Sequence, residues 1–290
     1  MRRLLYFLAL TSLFSCEDVV EIDTPAESPR LIFDAVLRVN LETPNENRIH
    51  VSTSNSFFGT VNPSLLDRIQ IQSELGGFPL FYAPDPDIFG DYIPGADNVP
   101  DYDNLLLDTE FDTESRNLLT FEYDEELYLA IATYTKVPEL TSVTQGDGTL
   151  FDEDETEIVI TFTDPEDEEN FYAFGFGNGE YVVLEDEFFN GQEFTFSYFS
   201  SQDLQPNDEL LVTMWGIEEP FYDYLRQLIE QSDLGDNIFF QSPVSTVRGN
   251  ILKAEGIASF GTDNNVGRPQ EFVLGYFAIV EERSRILTIQ

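Results

Sequence analysis

Cysteine, histidine and tryptophan each occur once in 290 residues, and 14 lysines and arginines face 55 aspartates and glutamates, for a formal charge of −41. Each scarcity removes a class of function or of stabilisation. One thiol cannot close an intramolecular disulfide, so stability outside the cytoplasm has to come from the core. Zinc and similar transition metals draw on several histidine or cysteine ligands, which this chain lacks. A Ser-His-Asp triad would have to be built around His50 alone. That residue lies in "NRIHVSTS" with no serine in a nucleophile elbow, and it reads as a strand histidine. The shortage of positive charge excludes nucleic acid, because phosphate backbones and anionic headgroups are repelled. Apolar residues are plentiful: 42% of the chain, with 26 phenylalanines and 13 tyrosines, supplies a folded core rather than an acidic disordered tail.

The single thiol, Cys16, stands in "TSLFSCEDVVE" between an apolar run and an acidic one. Arg2 and Arg3 precede Leu4 to Phe14, an apolar stretch broken only by Thr11 and Ser12, which is the pattern of an export signal. As a helix that stretch would be about 16 Å long, far short of the ~30 Å hydrocarbon core, so it cannot serve as a stable membrane span. Leu13-Phe14-Ser15-Cys16 resembles the bacterial lipobox, in which a small residue precedes the cysteine that is lipidated and becomes the new N-terminus. The expectation is therefore a signal peptide over 1–15, lipidation at Cys16 and permanent attachment to a membrane. Losing Arg2 and Arg3 with the signal takes the formal charge from −41 to −43. Residues 16–28 follow as an acidic tether.

Beyond the tether the chain alternates in the manner of half-buried strands, as in "LIFDAVLRVN", "DRIQIQSE", "LLTFEYDE" and "LYLAIATYTKV". These predict an N-terminal β-sandwich domain of immunoglobulin-like type over 29–137. Within it "YAPDPDIFGDYIPGADNVPDYDN" is rich in breakers and reads as one long surface loop. Strand patterns resume in "TEIVITFTD", "NFYAFGFGN", "QEFTFSYFS" and "ELLVTMWGI", predicting a C-terminal β-rich domain over 138–290. It carries one amphipathic helix near 219–232, with Glu218, Glu219 and Pro220 at its start and Phe221, Leu225, Leu228 and Ile229 on one face. The fold class expected is mainly β, in two β-rich domains.

The order "ENFYAF", "EDEFFNGQ", "NDELLVTMWGIEEPFYDYLRQL", "NIFFQSPVSTVRGNI", "GIASFG" and "VLGYFAIVEERSRIL" resembles a Bacteroidota lipoprotein family known as domain of unknown function 4249. The resemblance covers nearly the whole chain after the signal, most specifically Asn170 to Leu287. It implies an outer-membrane lipoprotein, of a kind often encoded beside TonB-dependent receptors, with Cys16 as the lipidated position. It also implies that Glu17, Asp18 and Glu21 form the signal that sends such lipoproteins to the cell surface. No catalytic residue follows from it.

Three further features bear on chemistry. Asp85, Asp87, Asp91, Asp97, Asp101 and Asp103 cluster in the breaker-rich loop and offer oxygens to a hard cation such as Ca2+, without the spacing of an EF-hand. Asp152 to Glu155 and Asp164 to Glu169 form two more acidic runs, and solvated loop charge is the ordinary reading of all three. Tyr82, Phe89, Tyr92 and Tyr102 sit among the loop carboxylates, either packing the loop down or gripping a ligand or partner, while Trp215 and Phe221 read as core. No cofactor is required. The leading expectation is a noncatalytic surface lipoprotein that works with a TonB-dependent transporter or another envelope complex, capturing a nutrient or capping the barrel. A stand-alone adhesin or envelope structural module and a carboxylate-dependent hydrolase are the alternatives.

Overall fold

The computed structural model describes residues 29–40, 47–55, 62–66, 68–76, 79–95, 116–150, 155–166, 168–200, 202–233, 246–257 and 272–290. These residues are mainly β with one helix, as the alternation in the sequence requires. The first strand, β1 (Leu31–Val39), shows the logic: Leu31, Phe33, Ala35, Leu37 and Val39 are buried, and the residues between them face outward. Its neighbours are β2 (Ile49–Thr53), flanked by the short β3 (Asn62–Pro63), then β4 (Ile69–Ser73), β5 (Leu80–Pro84), β6 (Asp91–Pro94), β7 (Arg116–Tyr123) and β8 (Glu126–Thr135). Phe33 stacks on Phe121 at 4.3 Å between ring centroids, and Phe121 on Tyr128 at 5.2 Å, so rings fill the space between the layers. Fully burying one such side chain contributes roughly 1.5–3 kcal/mol.

The second core lies between two antiparallel layers. One holds β9 (Leu140–Gln145), β10 (Thr156–Thr163) and β13 (Glu193–Ser200); the other holds β12 (Tyr181–Glu185), β11 (Phe171–Gly175), β14 (Glu209–Ile217) and the end of β16 (Phe277–Thr288). Seven antiparallel strands divided three and four make an immunoglobulin-like or fibronectin-like sandwich. Phe162 is its centre, ringed by Tyr172, Phe174, Phe189 and Phe194 at 5.1–6.0 Å.

Two cores are present, one reaching Tyr134 and the other beginning at Val137, and C-terminal residues contribute to both. The twelve-residue β16 belongs to both. Its first half pairs in parallel with β1, Ala35 against Phe277 through Val39 against Glu281, and with β8 at Ile279 and Val280. Its second half pairs antiparallel with β14, Trp215 against Glu282 through Glu209 against Thr288. Before it, β15 (Leu252–Lys253) pairs with β8, and Leu274 bridges Ile32. The chain between β14 and β16 thus leaves the sandwich and completes the first unit, which becomes a circuit of eight strands in the order β1, β2, β6, β5, β4, β7, β8, β16. Ile251, Val273, Phe277 and Ile279 therefore lie in the first core. The physical reason is length: a strand of twelve residues spans roughly 40 Å, enough to cross two cores.

The crossing point is polar and buried. Glu281, on the inner side, accepts from the Val137 amide and pairs with Arg283 at 2.7 Å. Glu282, on the outer side, accepts from Trp215 Nε1 at 2.9 Å and Asn40 Nδ2 at 3.3 Å. Gly216 makes the join close: a Cβ there would stand 1.9 Å from the Lys136 carbonyl oxygen.

The breaker-rich loop is corrected. Its first part is a hairpin, β5 and β6, registered Tyr82 against Pro94 and Pro84 against Tyr92. Its strands are too short, and too heavily edged with proline, for a two-residue period to register in the sequence. No helix of the described residues is long and apolar enough to cross a membrane.

Candidate functional site

Because β16 is shared, β12, β11, β14, β16, β1 and β2 form one continuous sheet across both units. The helix α1 (Glu219–Asp233) lies on its outer face. Glu219 in the first turn complements the helix dipole and Pro220 suits the start of a helix. The Glu218 carboxylate accepts from the Thr133 amide at 3.1 Å, fixing the helix start to β8, and burial there raises its pKa. Phe221, Tyr222 and Leu225 turn toward Ala173, Trp215, Ala278 and Val280 of the sheet. Between α1 and the outward residues of β1 and β2 a cavity of about 740 Å3 remains, lined by Asp34, Arg38, His50, Trp215, Tyr224 and Tyr276 among others. That size and that mixture, aromatic walls with few polar groups, are those of small-molecule sites.

The walls are rings in contact. Tyr276 lies 4.6 Å from Phe221 and 4.8 Å from Tyr224, and Trp215 lies 5.8 Å from Tyr181 with the Arg38 guanidinium 5.6 Å from its face. Burial pushes Tyr224 up to about 12, so its hydroxyl stays protonated at any physiological pH. The floor is charged. Arg48 pairs with Asp85 and, at 3.5 Å, with Asp91; His50 Nδ1 meets Asp91 Oδ1 at 2.6 Å. Arg38 lies 3.6 Å from Glu282. Asp34 is different: it keeps access to water through the groove mouth, but protein crowds its other sides and desolvation raises its pKa. Its neighbours His50 and Arg38, with the Val36 amide, offset that only in part. Among the described residues it forms no ion pair.

Residues 17–286 match the family model described as "Domain of unknown function (DUF4249)". The chain belongs to the DUF4249 family. No curated protein matches the chain. Two solved structures that it resembles are a two fibronectin type-III domain segment from chicken tenascin and the FN1–FN3 domains of chicken CNTN1. The first is 12% identical over 66% of this chain and 92% of that one, at a TM-score of 0.18. The second is 14% identical over 67% of this chain and 61% of that one, also at 0.18. Neither superposes as a whole, and the sandwich architecture of this DUF4249 member stands on its own strand pairings.

The residues singled out by sequence fall unevenly. Cys16, Glu17, Asp18 and Glu21 lie outside the described residues, as do Asp97, Asp101, Tyr102 and Asp103. Asp85, Asp87 and Asp91 are described, and two of them are held by protein groups. Asp85 Oδ1 accepts from the Asp87 and Ile88 amides at 2.7 and 3.2 Å, and its other oxygen takes Arg48. Those backbone bonds and then Arg48 hold its pKa below the usual range. Asp91 is shared by His50 and Arg48, and Asp87 is exposed. Among the described residues no three His, Cys, Asp or Glu side chains gather to hold a metal. In the acidic run after β10, Asp164 is buried as a clamp, accepting from the Tyr172 hydroxyl and from the Gly191 amide at 2.9 Å. Tyr82 and Tyr92 are core residues and Phe89 is 61% exposed, so the aromatic cluster expected on the loop is split. Trp215 and Phe221 are buried in the core beneath α1 and also border the groove.

Sequence reasoning missed Asp34, Arg38, Tyr224 and Tyr276. One signal was present: in "LIFDAVLRV" the outward positions hold Ile32 and Val36 beside Asp34 and Arg38, half apolar where a fully solvated face would be polar. An outer face with that mixture is one that something covers.

Proposed function

We propose that this DUF4249 protein is a noncatalytic, lipid-anchored protein of the outer-membrane surface that captures a small ligand in the groove beneath α1 and acts beside a TonB-dependent transporter. The groove carries the reading: about 740 Å3, walled by aromatic rings and floored by side chains that largely hold one another. Such a preorganised, mostly apolar cleft binds without needing to move. His50, the one histidine of the chain, is held by Asp91 through Nδ1 at 2.6 Å. Anchoring and export rest on the run ending at Cys16 and on Glu17, Asp18 and Glu21.

Two experiments test this. Cys16→Ala is expected to accumulate as precursor or to leave the membrane fraction, and replacing Glu17, Asp18 and Glu21 with Gln to protect the protein from protease added to intact cells. Wild-type behaviour of both contradicts the anchor and the surface placement. For capture, Ile32→Trp places a large ring in the groove from an outward position on β1. Cells carrying this variant, exported and anchored normally, are expected to grow like a deletion strain on whichever nutrients the deletion impairs. Growth like wild type contradicts the groove as the capture site.

A further inference from the structure

The groove has a charge preference that its shape alone does not show, and the inference rests on the capture reading above. Asp34 lines it together with Arg38, Arg48 and His50, and Asp85, Asp91 and Glu282 are the carboxylate partners of those arginines. Both arginines already have acidic partners, Arg38 standing on Trp215 and 3.6 Å from Glu282, Arg48 on Asp85 and Asp91. Asp34 is the carboxylate left without an ion pair among the described residues, and it stands near Tyr224, whose own ionisation it opposes. Beside it stand the rings of Tyr224, Tyr276 and Trp215, side chains whose faces attract cations, as the Arg38 guanidinium 5.6 Å from the Trp215 ring already shows. The whole molecule, at a formal −41, draws cations toward any such cleft.

We propose that the groove takes an organic cation, an alkylammonium or quaternary ammonium group on a small apolar body, with Asp34 as counter-ion and the rings of Tyr224, Tyr276 and Trp215 as walls. Three features combine in this assignment: a carboxylate in the groove without an ion pair among the described residues, aromatic side chains around it, and arginines already paired with carboxylates. A phosphate or carboxylate ligand would meet Asp34 and arginines that already carry carboxylates.

Trp215 is the one tryptophan of the chain, so its emission reports directly on the groove. Detergent-solubilised full-length protein is titrated with benzyltrimethylammonium, with uncharged benzyl alcohol and with anionic phenylacetate. The cation alone is expected to change the emission saturably, and Asp34→Asn to weaken its binding at least tenfold. Asp34→Asn is also expected to melt slightly higher than wild type, since it removes an ionised group held in a crowded site and keeps the oxygen that accepts from Val36; loss of binding then cannot be ascribed to unfolding. Tyr224→Ala should weaken the cation as well. Saturable binding of benzyl alcohol or phenylacetate comparable to the cation, no saturable response to the cation, or unchanged affinity in Asp34→Asn overturns the inference. Wild-type growth of Ile32→Trp removes the capture reading itself, so the two failures are told apart.

Discussion

Glu125 sits at a φ of 62° and Asp124 at 52°, the two central residues of the turn between β7 and β8. A two-residue hairpin with both φ values positive suits an Asp-Gly pair, and a glutamate there bears a left-handed cost of roughly 1–2 kcal/mol. Glu125→Gly is expected to raise stability by about 0.5–1 kcal/mol after the entropy of glycine is deducted, read as a shift in the denaturation midpoint. Asp85 acts in the opposite way. Its pKa is depressed in the fold, so it contributes stability above its ordinary range, ~3.9, and that contribution is lost as pH falls further through the folded value. Melting temperature should therefore drop below about pH 4, and the drop should be shallower in Asp85→Asn, whose melting temperature at neutral pH is already lower. Glu157 does similar work: it holds the Ser197 hydroxyl at 2.6 Å and the Gly148 amide at 2.7 Å, and its pKa is lowered by both. Sequence shows the excess of acid but not these bonds, since Arg48 lies far from Asp85 along the chain and Ser197 far from Glu157.

At the scale of elements, alternation in "LIFDAVLRVN", "TEIVITFTD" and "ELLVTMWGI" was enough to place β1, β10 and β14, and the helical stripe was enough to place α1. Pairing was not legible. β16 reads as one strand, but periodicity says nothing of partners, and its contacts reach back as far as from Glu282 to Asn40. The groove escaped for the same reason, since alternation tells which residues face outward and not that α1 will return over them. Gly216 tests the join. A methyl at that position meets the backbone of Lys136 rather than a mobile side-chain end, so Gly216→Ala is expected to cost at least about 2 kcal/mol. If the two units were joined only by the linker after Thr135, the variant would be tolerated.

At the scale of the molecule, sharing β16 makes the two cores one cooperative body, and a single unfolding transition is expected by calorimetry. Two separable transitions would contradict the shared strand. The net charge opposes compaction, and carboxylates within a Debye length, ~8 Å at physiological ionic strength, repel one another. Melting temperature is therefore expected to rise with sodium chloride. Calcium at matched ionic strength is expected to add nothing where Asp85 and Asp91 are concerned, because Arg48 and His50 already hold them. A calcium increment abolished by Asp→Asn changes at Asp97, Asp101 and Asp103 would instead assign an ion to that segment. The central claim, a surface capture protein working beside a transporter, is tested most directly by purifying the lipidated protein from gently solubilised outer membrane and identifying what accompanies it. A TonB-dependent barrel in near-stoichiometric amount is the expected result, retained when the groove is filled by Ile32→Trp; the anchored protein recovered alone would contradict the claim.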